Sequence, residues 1–245
     1  MGVPMIGCQC AVCQSGDPFN QRLRTSALLE VGGLTLLIDA GPDLRQQAIH
    51  AGLRRLDAVL LTHSHADHVA GIDDLRPLNF AQRAAMPLYG TSETLDAVRE
   101  RFAYAFVNSS QGSTRPALDL MAFRNYEPFS IGGVEVLPLA VQHGTWTISG
   151  FRIGRLGYLT DASAIPDATL AELHDLDVLV LNALRPQPHP THFTVDEALA
   201  VVGMLRPQRA FFVHMGHELD HRSTNATLPP TAQLAFDGQV VEIAP

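Results

Sequence analysis

The chain alternates short apolar runs with polar or glycine-containing segments, and several runs end at a glycine, an aspartate or a histidine. TSALLEVGG and LTLLIDAG predict two strands joined by a tight turn at Gly32–Gly33, because glycine accepts the positive φ of hairpin turns. GGVEVLPLAVQH and GFRIGRLGYLTDAS predict antiparallel strands with a turn near Gly154. Further strands are predicted for LDAVLLTH, PLYG, DVLVLNAL, RAFFVHM and, at the end of the chain, QVVEIAP.

Other segments have the apolar spacing that is typical of helices. Residues 107–125 are polar and irregular, which indicates a loop or a lid. Strands separated by helices predict an α/β protein with helices covering a sheet-rich core. Because no linker interrupts the chain, we expect a single domain over residues 1–245. The predicted helices are VAGIDDLRPLNF, ending near Pro77; SETLDAVRERFAYAF, beginning at Ser92; DATLAELHDL; and THFTVDEALAVVGML.

The composition is that of an ordinary globular protein, with 245 residues of which 46% are hydrophobic and 17% charged. Its formal net charge of −8 argues against non-specific nucleic-acid binding, which depends on Lys and Arg neutralising phosphates. No apolar run reaches the roughly 18 residues of a transmembrane helix. The start, MGVPMIGCQC, lacks the regions of a signal peptide. We therefore expect a cytoplasmic protein without a membrane partner.

One short stretch concentrates metal-binding side chains. LLTHSHADHVAG places His63, His65, Asp67 and His68 directly after an apolar run. Positions i and i+2 face apart on a helix, and Gly71 follows closely, so we predict a turn at the carboxyl end of a strand. Neutral imidazoles suit Zn, Mn or Fe, and a carboxylate adds charge for a second cation. The motif predicts a metal site, with a His-rich surface loop as the alternative.

Three later residues also follow apolar runs: His143 after VLPLAVQ, Asp161 after RLGYLT and His214 after RAFFV. A sheet delivers polar groups at its strand ends to one rim. Any one of these residues alone would more often be a hydrogen-bonded or capping residue. Together with the first motif they are predicted to be metal ligands.

The three cysteines, Cys8, Cys10 and Cys13, are clustered too tightly for a disulfide framework. C-x-C-x-x-C supplies three thiolates, and a structural zinc needs four ligands. His217, three residues after His214, is the candidate fourth ligand. Such a closed site has no open coordination position for catalysis. A redox thiol cluster or three unrelated cysteines are the alternatives.

The segments THSHADH, QH, TDAS and VHMGH, in this order and spacing, resemble the metallo-β-lactamase-fold hydrolase superfamily over essentially the whole chain. The resemblance implies an αβ/βα four-layer sandwich with a dinuclear metal site on the rim of the sheets. It also implies that Asp161 bridges the metals and that Asp39, in LIDAG, supports the His turn. Redox members have Glu at the position of His65, so hydrolysis is expected. The implied ligands are His63, His65 and His143 for one metal, and Asp67, His68 and His214 for the other.

GVPMIGCQCAVCQSGDP and the pair His214 and His217 resemble a narrower group, the PhnP-type cyclic-phosphate phosphodiesterases. This resemblance implies hydrolysis of phosphoribosyl cyclic phosphates or simple phosphodiesters with two divalent metals, Zn or Mn, in the active site. Members of the group begin with a strand before GVP, so we expect that first strand to be missing or truncated. The ligands implied for one structural Zn are Cys8, Cys10, Cys13 and His217.

Phosphodiester hydrolysis also requires a proton for the leaving oxygen. His192 lies two residues before Thr194, which with Glu197 predicts a capping box at a helix start, where backbone N–H groups favour anions. The PhnP resemblance implies that His192 is the general acid, and Asp67 is the other residue expected to act in catalysis. Weaker candidates for contacts with the substrate are His189, Arg45 and Arg185.

The leading hypothesis is a metal-dependent phosphodiesterase. A hydroxide shared by two metals would attack the phosphorus of a small cyclic phosphate, and His192 would protonate the leaving oxygen. Alternatives on the same scaffold are a tRNA 3′-processing nuclease, a lactonase or a thioesterase, and the negative net charge weighs against the nuclease. A non-catalytic metal-binding partner in cofactor biosynthesis is a further hypothesis. The expected ligand is a small anionic phosphate ester, and a homodimer stays open.

Overall fold

In the computed structural model, which describes residues 2–107 and 114–243, the chain is divided between two units. Residues 24–135 form the first unit, and residues 2–23 together with 136–243 form the second. The N-terminal segment with the three cysteines therefore belongs with the C-terminal half of the chain. The single domain over residues 1–245 stays a prediction.

The first unit is built on a five-stranded sheet in the order β1-β2-β3-β4-β5. β1 and β2 are an antiparallel hairpin across Gly32–Gly33, as predicted, and the remaining neighbours are parallel. The carboxyl ends of β2, β3 and β4 consequently lie at one edge of the sheet. The strands are β1 Ala27–Val31, β2 Leu34–Ile38, β3 Ala58–Leu60, β4 Met86–Gly90 and β5 Leu118–Ala122, followed by β6 Phe129–Ile131. The helices are α1 Leu44–His50, α2 Ala66–Val69, α3 Arg76–Gln82, α4 Ser92–Arg101 and α5 Ala103–Phe106.

Three predictions for this unit are corrected. The segment after the His turn is not one helix ending near Pro77, because Pro77 lies in the first turn of α3, where its missing N–H costs no hydrogen bond. The helix from Ser92 is interrupted at Phe102, whose backbone leaves the helical region. The region 107–125 contains β5, which pairs in parallel with β4. Residues 108–113 of that region lie outside the described residues.

The second unit has a mixed sheet in which strands lie in the order β12-β11-β10-β9-β8-β7. β9 to β12 are parallel, and β8 is antiparallel to both β7 and β9. β7 thus runs in the direction of β9, and the carboxyl ends of β7, β9, β10 and β11 share one edge. The strands are β7 Val134–His143, β8 Trp146–Ile153, β9 Leu156–Leu159, β10 Val178–Asn182, β11 Arg209–Val213 and β12 Ala232–Leu234. The helices are α6 Asp167–Glu172, α7 Val195–Leu205 and α8 His221–Asn225.

The predicted last strand, QVVEIAP, is wrong within the described residues. The last strand is β12, which pairs with β11, and residues 239–243 have no strand partner. The Val240 side chain is 88% exposed, so its apolar surface contributes no burial that would hold this segment against a sheet. The α/β class itself is confirmed. Throughout residues 2–107 and 114–243, no helix is both long enough and apolar enough to cross a bilayer.

Candidate metal sites and catalytic residues

The His turn of the first unit is organised by the carboxylate of Asp39, which follows β2 and is fully buried. Its Oδ1 accepts the backbone N–H of Thr62 at 2.8 Å, and its Oδ2 accepts the Thr62 hydroxyl at 2.8 Å. The same Oδ2 lies 2.7 Å from Nδ1 of His68. A carboxylate only accepts, so the proton of His68 is on Nδ1 and its lone pair is on Nε2, the form in which histidine binds a metal. The predicted supporting role of Asp39 agrees with this geometry.

The ring nitrogens of His63 and His65 also fit a shared cation. The Thr62 hydroxyl donates to Asp39, so at 3.0 Å from Nδ1 of His63 its oxygen accepts the ring N–H. The lone pair of His63 is therefore on Nε2, which lies 3.0 Å from Nδ1 of His65. Two nitrogens bound at 2.0–2.1 Å to one tetrahedral zinc lie about 3.3 Å apart. The carboxylate of Asp67, one-third exposed, has Oδ2 4.0 Å from Nε2 of His68.

Two glycines allow the His turn to approach the end of β2. A Cβ on Gly71 would lie 2.0 Å from the carbonyl oxygen of Gly41, and one on Gly41 would lie 2.3 Å from that of Asp67. Backbone bonds close this contact: Ala40 N–H donates to the His68 carbonyl at 2.7 Å, and Gly71 N–H donates to the Ala40 carbonyl at 2.8 Å. The position of the four metal-binding side chains is thus fixed by backbone that only glycine permits.

In the second unit, Asp161 follows β9 and its buried carboxylate lies between two imidazoles. Its Oδ2 is 3.1 Å from Nε2 of His192 and 3.3 Å from Nε2 of His214, and its Oδ1 accepts the Thr160 hydroxyl at 2.6 Å. His143 follows the same pattern as His68. Its Nδ1 lies 2.7 Å from the carbonyl oxygen of Asp161 and 2.9 Å from that of Thr191. Carbonyls only accept, so the His143 lone pair is on Nε2.

These residues form metal-binding groups within each unit. His143, Asp161 and His192 have ligand atoms within 4.8 Å of one another. The donors are imidazole nitrogens and carboxylate oxygens, which suit Zn or Mn. The turn of the first unit holds His63, His65, Asp67 and His68, and the second unit brings His143, Asp161 and His214 together at its strand ends. That both sets share two metals stays a prediction.

Three residues at strand ends have left-handed backbone conformations that the sequence analysis missed. Asp39 has φ 62°, Asp161 has φ 57° and His214 has φ 54°. Positive φ is uncommon outside glycine, although aspartate and histidine tolerate it better than most residues, and such positions cluster at functional sites. The left-handed conformation redirects each side chain within two residues of the strand end. No local sequence signal beyond residue type identifies it.

His192 lies beside Asp161 without being one of the predicted ligands. Burial lowers the pKa of His192, and the hydrogen bond that His192 makes to the Asp161 carboxylate opposes that effect. Its Nδ1 is 2.8 Å from the Thr191 hydroxyl and 3.2 Å from Nδ1 of His189. The predicted capping box of Thr194 and Glu197 is present at the start of α7.

The weaker candidates have distinct positions. His189 contacts His192, whereas Arg185 donates to the carbonyls of Gln187 and Pro188 in the same loop. Arg45 lies on the exposed face of α1. Arg101, which sequence reasoning missed, ends α4 and donates to the Ser64 carbonyl at 2.9 Å, inside the His turn.

The four residues predicted for the structural zinc site lie together in the second unit. Nδ1 of His217 lies 3.2 Å from Sγ of Cys8 and 3.3 Å from Sγ of Cys10, and Cys13 completes the group. Sulfur and nitrogen ligands of one tetrahedral zinc lie about 3.5 Å apart. The pKa of the Cys10 thiol is lowered to about 6, mainly by the hydrogen bond from the Cys13 backbone N–H and next by the hydrogen bond with the His217 side chain. The lower pKa favours the thiolate, which is the form that zinc binds. Burial raises the pKa of Cys13.

A polar network that the sequence analysis missed holds the cysteine segment in the second unit. The buried guanidinium of Arg22 donates to the carbonyls of Gly216 at 3.0 Å and Leu219 at 2.6 Å. The Asn20 side chain donates to the Asp220 carboxylate at 2.8 Å and accepts from Arg22 at 3.2 Å. The segment carrying His217 is therefore positioned by protein contacts as well as by the cysteines.

The chain matches a known family model and is similar to several curated proteins. Residues 35–215 match the family model described as the beta-lactamase superfamily domain. An octanoyltransferase from Porphyromonas gingivalis is 38% identical over 240 residues, which is 97% of this chain but 48% of that protein. A ribonuclease Z from Bradyrhizobium is 32% identical over 55% of this chain and 45% of that protein. The chain thus spans about half the length of these two relatives.

Among solved structures, a protein described as a new diphosphatase from the PhnP family is similar over the whole chain. It is 40% identical, with a TM-score of 0.93, and the match covers 100% of this chain and 94% of that one. Zn²⁺-bound PqqB from Methylobacterium extorquens has a TM-score of 0.79 at 21% identity, with 99% and 96% of the two chains covered. The second likeness is one of fold alone.

Proposed function

Because the chain belongs to the metallo-β-lactamase superfamily and, within it, to the PhnP family, we propose that it is a metal-dependent hydrolase of small phosphate esters. The substrate is a cyclic or simple phosphodiester or, as in the similar PhnP-family structure, a diphosphate. The observation that carries the proposal is the Asp161 carboxylate between His214 and His192, with His143 oriented on the Asp161 carbonyl. This arrangement places the predicted metal ligands beside His192, the residue predicted to transfer a proton.

We assign the metals to the ligands that the motif order implies, supported by the tautomers that Asp39, Thr62 and the backbone carbonyls impose. Two divalent cations bound there would lower the pKa of a water molecule and neutralise charge on the phosphoryl group. The proposed ligand sets are His63, His65 and His143 for one cation, Asp67, His68 and His214 for the other, and Asp161 for both.

His192 is the residue of this chain that moves a proton. With the Thr191 hydroxyl proton directed to Nδ1, the proton of His192 is on Nε2, the nitrogen beside Asp161. From there it passes to the departing alkoxide or phosphate oxygen as the P–O bond breaks.

Replacing His192 by alanine is expected to slow hydrolysis in a way that depends on the leaving group. For an alkyl leaving group, kcat should fall about 10²- to 10⁴-fold, because a poor leaving group needs a general acid. For a p-nitrophenyl ester the loss should be less than about tenfold, since that leaving group departs without a proton. Steady-state kinetics on both esters tests this. His174→Ala, an exposed histidine, is the matched control, and equal losses on both esters would refute the role.

The proposed function is tested by loading the protein with Mn or Zn and measuring turnover on a panel of substrates. We expect about three metals per chain by elemental analysis, and hydrolysis of a phosphoribosyl cyclic phosphate, bis(p-nitrophenyl) phosphate or a dinucleoside diphosphate. One metal per chain and no P–O cleavage after reconstitution would refute the proposal. Precursor tRNA, a lactone and an octanoyl thioester belong on the panel because of the alternatives.

The nuclease is the second candidate, and the ribonuclease Z relatives favour it. Their similarity covers little more than half of this chain. The net charge of −8 disfavours a polyanionic substrate as large as tRNA. Cleavage of precursor tRNA at a rate above that of the small esters would establish this alternative.

A further inference from the structure

A groove of about 440 Å³ lies in the second unit, between α7 and the loops that lead into β11 and β12. The loop wall consists of Pro207, Pro229 and Thr231. The helical wall follows the i, i+3, i+4, i+7 spacing of a single helix face, which continues one residue past the end of α7. The residues of that wall are Leu199, Val202, Gly203 and Arg206. The groove is therefore mainly aliphatic and has one charged group.

The groove is separate from the proposed metal ligands of this unit. Pro207 precedes β11 and Thr231 precedes β12, so the groove lies at the amino ends of two parallel strands. His214, in contrast, follows the carboxyl end of β11. Seven of the described residues line the groove, whereas a protein interface involves about 20–30 residues on each side. The volume lies in the range of small-molecule sites, so the occupant that fits is a small molecule.

Gly203 lies inside α7, where glycine destabilises a helix relative to alanine. Beyond its own helix and chain neighbours, no described atom lies within 4 Å of the place where a Cβ would be. Gly157 differs, because a Cβ there would lie 2.9 Å from Cδ1 of Leu176. No packing contact among the described residues thus requires glycine at position 203. Since Gly203 lines the groove, a larger side chain would fill it.

Arg206 is the C-cap of α7, and its side chain is exposed at the groove. The guanidinium groups of Arg24 and Arg155 pair with carboxylates at 3.0 and 2.7 Å. In the part of the chain that the structure describes, Arg206 has no such partner. Its N–H groups can therefore donate to an anion. The carbonyl end of α7 disfavours an anion, but this effect is weaker than a direct charge-assisted hydrogen bond.

We propose that this groove is a binding site for an aliphatic carboxylate. The alkyl chain lies along Val202 and Gly203 and is removed from water, and the carboxylate accepts two hydrogen bonds from the Arg206 guanidinium. The planar fork of arginine matches a carboxylate in geometry. A phosphate ester without an alkyl chain would satisfy Arg206 but would leave the aliphatic walls in water. The inference does not depend on the proposed hydrolase activity.

Binding is measured by titrating the zinc-loaded, ¹⁵N-labelled protein with hexanoate and following its amide chemical shifts. We expect saturable shifts of the Gly203 and Arg206 amides, with a dissociation constant of about 1 mM for a ligand of this size. Hexan-1-ol and hexylamine have the same chain without the carboxylate. Both should bind at least about tenfold more weakly, because the hydrogen bonds to a charged acceptor are lost.

Two variants test the groove itself. Gly203→Leu should abolish the saturable shift of the Arg206 amide and should keep or raise Tm, because leucine fills the groove and favours the helix. Arg206→Gln should weaken hexanoate binding at least about tenfold. Two controls should leave the dissociation constant unchanged. Ala200→Leu adds the same bulk at an exposed position of α7, and Arg83→Gln removes a charge from another left-handed C-cap, φ 53°.

Four outcomes would overturn the proposal. The first is the absence of a saturable shift at Gly203, and the second is equal affinity for hexanoate and hexan-1-ol. The third is undiminished hexanoate binding in Gly203→Leu, as expected if the carboxylate binds only to a zinc ion. The fourth is a shift of the same amides with protein concentration alone, which would assign the groove to a second copy of the chain. Turnover of phosphate esters is measured separately, so neither result decides the other.

Discussion

Asp161→Asn is expected to lower kcat/KM by about 10³-fold or more, because the carboxylate that we propose as a ligand of both cations would supply several kcal/mol of transition-state stabilisation. Asparagine keeps the shape of the side chain and also tolerates the left-handed backbone, φ 57°, that this position requires. The Thr160 hydroxyl bond can be retained by the amide oxygen. Asp161→Asn therefore tests the loss of the negative charge without a loss of the local structure. Asp161→Ala would remove the Thr160 hydrogen bond as well as the charge.

The measurement combines turnover with metal content. We expect Asp161→Asn to retain the thermal stability of the metal-free protein to within about 1 kcal/mol and to lose at least one active-site metal. Asp175→Asn is the matched control, since Asp175 has φ 53° and is exposed. It should keep both metal content and activity. A variant at 161 that turns over at more than a tenth of the original rate would show that the carboxylate is not a metal ligand.

Cys10→Ser is expected to remove one zinc per chain and to lower stability substantially. With free zinc at about a thousand times the dissociation constant, a site that exists only in the folded state contributes about 4 kcal/mol. For a chain of 245 residues this corresponds to a fall in Tm of roughly 8–16 °C. The protein should still fold, since Arg22 and Asn20 hold the same segment without metal.

Elemental analysis and calorimetry on zinc-saturated protein test this prediction. Ser15→Ala is the control, because Ser15 lies in the same segment and only its hydroxyl bonds to Asn20 and to the Asp17 backbone are lost. It should keep full zinc content. An unchanged zinc stoichiometry in Cys10→Ser would contradict the Cys₃His assignment, and a disulfide in the original protein would favour the redox alternative.

The sequence predicted the parts of the site that depend on residue type and order. His63, His65, Asp67 and His68 could be identified because these residue types are clustered directly after an apolar run. The predicted turn is correct for His63 and His65 but wrong for Asp67 and His68, which lie in the short helix α2. Cysteine spacing and the H-x-x-H pair similarly indicated four residues that the structure gathers within 4.8 Å. Most strands were predictable for the same reason, since each is a short apolar run bounded by turn residues.

What could not be predicted depends on contacts between distant segments. The left-handed turns at Asp39, Asp161 and His214 are imposed by surrounding structure and leave no local pattern. β5 is recognisable only through its pairing with β4, and QVVEIAP has strand propensity without a partner. Arginine is usually a surface residue. Arg22 is nevertheless buried, because two backbone carbonyls 194 and 197 residues away accept hydrogen bonds from its guanidinium.

The long separation between the cysteines and their fourth partner sets an order of events during synthesis. His217 is made 209 residues after Cys8. At about 5–20 residues per second, the three thiols wait roughly 10–40 s on the ribosome before the predicted fourth ligand is synthesised. Residues 24–135 are complete well before that and can fold first. We expect the nascent chain to expose reactive thiols, so yields should depend on reducing conditions and zinc supply during translation more than after release.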